Sequence, residues 1–296
     1  MEVERVCGVG PCQKSTRVNT GKLVSAVSKL SFFMVCRETA GMDLAPWIYP
    51  LLFLAALAAG LIDSIAGGGG LIALPALLMA GFPVPLALGT NKLQSLFGSG
   101  MAALHYARHG VVDWRRCRLG VVLSFVGALL GAWTVQRIDA SRLGLLIPCL
   151  LAGILIYTII RPQIGQDKRE PRMASKWFWL VAGVGLGFYD GFFGPGTGMF
   201  WTIALVVLLG QDFMAATGHT KVMNAASNLA SLGVFIAVGQ VDWIAGGVMV
   251  VGQIVGARLG AGLVVKKGAR FIRPVFLTMV TLTIARLAYV ELTRVR

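Results

Sequence analysis

Long stretches without a single charged residue restrict this chain to one class of fold. The main uncharged stretches are 64–91, 119–136, 143–160, 191–211 and 222–241. An apolar helix of about 18 to 20 residues crosses a hydrocarbon layer of about 30 Å. The chain is also 56% hydrophobic and only 14% charged, a composition outside the range of soluble domains. The sequence therefore predicts an all-α integral membrane protein with several crossings.

The net charge of +14 would suit either nucleic-acid binding or membrane orientation. Lysine and arginine are confined to short patches between the apolar stretches, as orientation signals are. No part of the chain is left to form a folded, soluble nucleic-acid domain. We therefore expect the lipid bilayer, and not nucleic acid, as the partner of these charges.

The sequence contains two similar halves, in which the same landmarks recur in the same order. "AAGLIDSIAGGGG" at 58–70 returns as "GLGFYDGFFGPGTG" at 185–198. The matched pairs are Asp63 and Asp190, Lys92 and Lys221, Asp113 and Asp242, Trp114 and Trp243, and "GALLGA" at 127–132 with "GARLGA" at 256–261. The first pair is separated by 127 residues and the others by 129. Repeats of this length indicate a duplicated structural unit.

Each half contains about five apolar segments. They lie near 46–65, 70–82, 88–107, 118–136 and 142–160, and then near 177–192, 197–210, 216–238, 243–265 and 272–290. We expect a first transmembrane repeat at 42–161, a basic cytoplasmic linker at 162–176 and a second repeat at 177–296. The polar region 1–41 is expected to be a poorly ordered extension, or to precede a true start at Met42. Asp113-Trp114 and Asp242-Trp243 are expected to begin helices, with tryptophan at the membrane interface.

Loop charges predict that the two repeats have inverted topology. The loop at 108–118 carries four basic residues, whereas the matching loop at 239–242 carries none and the next one, at 266–273, carries four. Because basic loops face the cytoplasm, matching loops should face opposite sides. The second segment of each half is shorter than a full crossing requires, and together with the glycine break before it this predicts a hairpin that re-enters from one side, with a full crossing as the open alternative. Inverted repeats are typical of secondary transporters.

Glycines interrupt the first helix of each half, at 67–70 and at 194–198. Irregular backbone at membrane depth is tolerated only where protein or a water-filled cavity satisfies it. Breaks at matching positions in two halves indicate a central transport site. Helices that restart near Gly70 and Gly198 would direct N–H groups and a positive dipole end toward that site, which favours an anion.

A set of candidate site residues follows from these breaks and from the charged and polar residues near them. We expect substrate to be bound by Lys92, Lys221, Asn91, Thr220, Asn224, Asn228, Gly68, Gly69, Gly70, Gly196, Thr197 and Gly198. We expect coupling to protons or ions to involve Asp63, Asp190 and His219. A charge inside a membrane segment is costly and is a functional candidate by default. Polar residues at three- and four-residue steps, such as Asn224 and Asn228, share one helix face.

Each of these features also has a structural explanation. Glycines in membrane helices allow close packing, and asparagine and serine often link neighbouring helices. Asp63 and Asp190 could pair with a lysine or cap the restarted helix. The sequence leaves these alternatives open.

Four motifs carry a family resemblance. They are "GLIDSIAGGGGLIALPALL", "ALGTNKLQS", "YDGFFGPGTG" and "TKVMNAASNLASL". With them the sequence resembles the sulfite exporter TauE/SafE family, also called the toluene sulfonate uptake permease family, and within it the bacterial probable membrane transporter proteins. The resemblance extends over about 43–290. It implies transport of sulfite or organosulfonates across a bacterial inner membrane, in a direction that stays open.

Three functions are compatible with the chain to different degrees. We favour a secondary transporter of a small anion, and a passive anion channel built on the same site is the alternative. An intramembrane enzyme is disfavoured because H-E-x-x-H and G-x-S-x-G motifs are absent. The five cysteines form no C-x-x-C pair, so we expect no metal or cofactor. The oligomeric state is not fixed by the sequence, and a homo-oligomer remains open.

Overall fold

The computed structural model describes residues 44–138 and 174–267. Our predictions for 1–41, for most of the linker at 162–176 and for the apolar segments at 142–160 and 272–290 fall outside these ranges. Of the ten predicted apolar segments, the other eight lie within them.

Every regular element in the two described stretches is a helix. The first stretch contains α1 (Ile48–Ala66), α2 (Gly70–Met79), α3 (Val84–Arg108) and α4 (Trp114–Val135). The second contains α5 (Ser175–Phe178), a π-helical turn (Trp179–Gly183), α6 (Val184–Phe192), α7 (Thr197–Leu209), α8 (Phe213–Ala237) and α9 (Trp243–Lys267). For the described residues, the all-α prediction is confirmed.

Three of the described helices, α1, α4 and α9, are long and apolar enough to cross a membrane. Large apolar side chains on these helices point outward, among them Leu54, Val122 and Val251. Helices α3 and α8 are as long as α9, but they carry Lys92, Lys221 and most of the buried polar side chains. The polar residues therefore lie inside a bundle whose outer surface is apolar, as a membrane protein requires.

The two Asp-Trp pairs begin helices, as predicted. The carboxylate of Asp113 accepts hydrogen bonds from the backbone N–H groups of Arg115 and Arg116 at the start of α4. The carboxylate of Asp242 accepts from Ile244 and Ala245 in the same way at the start of α9. Each aspartate thus satisfies N–H groups that have no partner inside the helix.

Helices of one half pack mainly on helices of the other. Helix α9 lies along α1 and α3, α4 lies along α6 and α8, and α3 contacts α8 at the centre. Exchanging the two halves leaves this pattern unchanged, because α1 to α4 correspond to α6 to α9. The bundle is therefore built mainly from contacts between the halves, and each of its two buried apolar clusters contains residues of both.

The "GALLGA" and "GARLGA" repeats form close backbone contacts between the halves. Gly127 and Gly131 of α4 lie against backbone carbonyls of α6, where an added Cβ would overlap them. Gly256 and Gly260 of α9 lie against backbone carbonyls of α1 in the same way. Small residues spaced four apart let membrane helices approach this closely.

Candidate functional site

The two helix breaks meet each other at the centre of the bundle. Helix α1 ends at Ala66 and α2 begins at Gly70, while α6 ends at Phe192 and α7 begins at Thr197. Gly67 and Gly196 adopt positive φ angles of 73° and 84°, which side chains other than glycine rarely tolerate. A Cβ on Gly67 would lie only 2.5 Å from the carbonyl carbon of Gly198. The breaks are therefore in backbone contact, and glycine is required there for space as well as for conformation.

An ion pair between Lys92 and Asp190 lies on one side of this contact. Lys92 Nζ is 2.7 Å from Asp190 Oδ1 and also donates to the backbone carbonyl of Asp190. The second carboxylate oxygen accepts a hydrogen bond from Ser227 Oγ. Both charged side chains are almost completely buried, at 1% and 4% exposure. This pair connects α3, α6 and α8.

A second ion pair, between Lys221 and Asp63, lies beside the other break. Lys221 Nζ is 3.0 Å from Asp63 Oδ2. Asp63 Oδ1 accepts from the backbone N–H groups of Gly68 at 3.0 Å and Gly69 at 3.2 Å. Asp63 thus pairs with a lysine and also holds the backbone that precedes α2.

Each lysine pairs with the aspartate of the other half. Lys92 of the first half holds Asp190 of the second, and Lys221 of the second holds Asp63 of the first. An isolated charge in such a place costs several kcal/mol, whereas a hydrogen-bonded pair offsets most of that cost. The four side chains together carry no net charge.

A small polar cavity lies between the two ion pairs. Its volume is about 20 Å³, enough for one water molecule. It is lined by Asp63, Gly68, Gly70, Asn91, Lys92, Ser95, Asp190, Gly194, Gly196, Thr197, Gly198, Asn224 and Asn228. Eleven of the fifteen candidate site residues are among them. The structure thus brings most of that set together around one point.

The remaining four candidates differ in their distance from the cavity. Gly69 and Lys221 lie directly behind its wall, since both contact the Asp63 carboxylate. The hydroxyl of Thr220 is 3.2 Å from that of Thr202 on α7. His219 lies apart from the cavity lining, at the junction of α8 with α4.

His219 occupies the position that corresponds to Thr90 in the first half. Its Nε2 accepts a hydrogen bond from the backbone N–H of Asp113 at 3.0 Å, and its Nδ1 contacts Gln211 Oε1 at 2.8 Å. Thr90 Oγ1 accepts from the backbone N–H of Asp242, also at 3.0 Å. Both residues therefore connect a core helix to the Asp-capped helix of the other half. The coupling role of His219 stays a prediction.

Three residues outside the candidate set also contribute. Ser227 bonds to the Asp190 carboxylate, and Ser95 and Gly194 line the cavity. Gly194 leaves the space for Lys92, whose Nζ would be 2.6 Å from a Cβ at that position. Ser95 and Ser227 belong to polar stripes visible in the sequence, so the 3.6-residue period was a sufficient signal for both.

Comparison with known proteins identifies the family of the chain. The model of the sulfite exporter TauE/SafE family matches residues 52–287. The chain belongs to the sulfite exporter TauE/SafE family. No solved structure matches it significantly.

Several known proteins are similar to the chain along most of their length. The chain is 43% identical over 245 residues to the probable membrane transporter protein YfcA of Escherichia coli (strain K12), covering 83% of this chain and 91% of that protein. It is 42% identical over 248 residues to a probable membrane transporter protein of Haemophilus influenzae, covering 84% and 97%. A third relative, probable membrane transporter protein ORF9 of Sinorhizobium sp, is 43% identical over 243 residues, covering 82% and 93%. The chain is thus a membrane protein of a transporter family.

Proposed function

We propose that this protein is a secondary transporter that moves a small anion, a sulfur oxyanion or an organosulfonate, across the bacterial inner membrane. The observation that carries the proposal is the pair of lysine–aspartate contacts between halves at the meeting point of two broken helices. Lysine ammonium groups and helix N-termini are the donors that proteins use for anions. The family description adds the sulfur chemistry.

The central site is formed in this proposal by two inverted-topology repeats, whose short second helices are α2 and α7. Support comes from the loop charges and from a packing pattern that is unchanged when the halves are exchanged. Breaks that face each other at the interface between repeats are typical of transporters with this organisation.

Proton coupling follows from the charge balance of the site. Two lysines and two aspartates cancel, so an anion that entered alone would add an uncompensated charge at membrane depth. On insertion scales such a charge costs about 3 kcal/mol. A proton taken up by an aspartate together with the anion keeps the site neutral, and this makes Asp63 and Asp190 the candidate proton carriers.

The volume of the cavity favours a transporter over a continuously open channel. About 20 Å³ holds a water molecule but not a sulfite or sulfonate group. The two helix breaks close the path where they touch, so passage of substrate requires them to separate. Alternating separation on the two sides of the contact gives access to one side of the membrane at a time.

Flux through reconstituted protein tests the proposal. Proteoliposomes containing the full chain would be given labelled sulfite, sulfate, a sulfonate and a carboxylate, with and without a pH gradient. We expect saturable uptake of a sulfur oxyanion or sulfonate that increases when the gradient drives protons in the same direction. Linear, gradient-independent flux would indicate the channel instead, and uptake of the carboxylate alone would replace the proposed substrate class.

A further inference from the structure

We propose that Asp63 is a tethered substitute for the transported anion: its carboxylate occupies the anion's binding position, and protonation of Asp63 vacates that position. This inference rests on the proposed function. It assigns the coupling proton to one aspartate and gives the other a different task.

The donors around Asp63 are those expected for a bound oxyanion. Two backbone N–H groups that precede α2, from Gly68 and Gly69, contact Oδ1, and the Lys221 ammonium contacts Oδ2. A sulfonate or sulfite group resembles a carboxylate in carrying several partly negative oxygens on one central atom. The same three donors can therefore serve either group, but not both at once.

Asn224 independently indicates a ligand at this place. It is 6% exposed and lines the same cavity as Asp63, yet its Oδ1 has no hydrogen-bond partner within the described ranges. Leaving a buried polar atom unpaired costs about 1 to 3 kcal/mol. Half a turn of the amide would place its NH₂ group, a donor, where the unpaired Oδ1 lies. In that orientation the amide would be an additional donor beside Gly68, Gly69 and Lys221. It could bind a substrate that replaces the Asp63 carboxylate on those groups.

Asp190 is placed differently although it corresponds to Asp63 in the repeat. Its described hydrogen bonds are to side chains on two helices, Lys92 of α3 and Ser227 of α8. Its side chain is 4% exposed, compared with 15% for Asp63. Asp190 therefore links helices through side chains. Asp63 instead accepts from the backbone N–H groups between α1 and α2, and it is the more accessible of the two.

The exchange conserves charge and protons. An arriving proton adds to an Asp63 oxygen, and the neutral carboxyl group loses its ionic attraction to Lys221. The anion then binds the freed ammonium and N–H groups, so the site is neutral before and after. One proton is consequently bound with each monovalent anion.

The test compares two aspartate variants that change the charge equally. Methanesulfonate is the probe, because its own charge is constant over the pH range, and its binding to the purified full chain would be measured by calorimetry at pH 6 and pH 8. For the unmodified protein we expect affinity to fall with rising pH, with a limiting slope of about tenfold per unit. Asp63→Asn should bind equally at both pH values, and at least about tenfold more tightly than the unmodified protein at pH 8. Asp190→Asn should show no such gain of affinity at pH 8, because it frees none of the three donors around Asp63.

Other results would overturn the inference. An equal increase in methanesulfonate affinity in Asp63→Asn and Asp190→Asn would mean that the net charge of the site alone controls affinity. If the methanesulfonate affinity of Asp63→Asn depended on pH as it does in the unmodified protein, Asp63 would not be the group whose protonation admits the anion. Asp63→Ser provides a second neutral variant in which pH dependence must also be lost.

Failure of the proposed function gives a different result. If the unmodified protein takes up no sulfur oxyanion, the substrate class is wrong. Nitrate, also a constant monovalent anion, then replaces methanesulfonate as the probe. Tight and pH-independent nitrate binding by Asp63→Asn would still support the tethered anion, and binding of neither probe at either pH would reject it.

Discussion

At the scale of single residues, Lys92 and Lys221 are lysines with 1% and 0% exposed side chains, and each would leave a bare charge in the bundle without its aspartate. Removing one member of such a pair lowers protein stability more than removing both, because the remaining side chain is buried and charged without a partner. Stability measurements on single and double variants can therefore separate the structural contribution of a pair from its part in transport.

Asp190→Asn should lower the free energy of unfolding by about 3 to 5 kcal/mol, since it leaves Lys92 uncompensated. Adding Lys92→Met should recover most of that loss, because methionine fills similar space without charge. Unfolding in detergent measures both variants, and flux assays on the same preparations should show no transport by either. A double variant no more stable than the single one would contradict this account.

Lys221→Ala should abolish anion uptake while the protein still inserts in the membrane, because the ammonium is a direct ligand of the proposed site. Lys176→Ala is the matched control, as Lys176 is an exposed lysine outside the cavity. Uptake in proteoliposomes of equal protein content is the measurement. Normal transport by Lys221→Ala would remove Lys221 from the site.

The sequence predicted the cavity residues better than it predicted their partners. Asp63, Lys92, Asp190 and Lys221 stood out because charges are rare in apolar segments. Which lysine holds which aspartate depends on the way the halves pack, and spacing along the chain carries no such information. For His219 a usable signal was present, since aligning the halves places it opposite Thr90, which shares its contact with a backbone N–H.

At the scale of helices, the contacts α1–α9 and α4–α6 fix where the two breaks meet. Both contacts use glycine pairs four residues apart, which bring backbones together without intervening side chains. A change of one methyl group at these positions therefore moves a whole helix, and with it one side of the cavity.

Gly131→Ala should reduce stability by about 1 to 3 kcal/mol, because the added methyl group overlaps the Phe188 carbonyl oxygen. Gly260→Ala, at the corresponding position of α9, should cost about the same. Gly247→Ala is the control, since no described atom lies within 4 Å of a Cβ there, and it should be neutral or slightly stabilising. Unfolding in detergent compares the three, and equal effects in all would argue against tight packing as the cause.

At the scale of the whole molecule, both halves contribute to each of two buried apolar clusters, and their contacts are unchanged when the halves are exchanged. The helical composition and the duplication were predictable from apolar runs and repeated motifs. Pairing between halves was not, because helix α4 could as well have packed on its own neighbours. The relation between the halves in the membrane is the part of the proposal that needs a direct test.

Corresponding loop positions should label from opposite sides of the membrane. His109→Cys and Val238→Cys, 129 residues apart and both exposed, would be made separately in a chain without other cysteines. A membrane-impermeant maleimide should reach one in intact cells and the other only in inverted vesicles. Reaction of both from the same side would refute inverted topology.

Pairing between the halves also has a consequence for synthesis. Asp190 follows Lys92 by 98 residues, and Lys221 follows Asp63 by 158. At roughly 5 to 20 residues per second, these intervals last about 5 to 20 s and about 8 to 32 s. During that time the growing chain holds an acid and a base in the membrane whose final partners do not yet exist. If translation stops after the first half, the product contains Asp63 and Lys92 without their native partners. Unpaired charges in a membrane segment are a chemical feature that distinguishes this product from the complete protein.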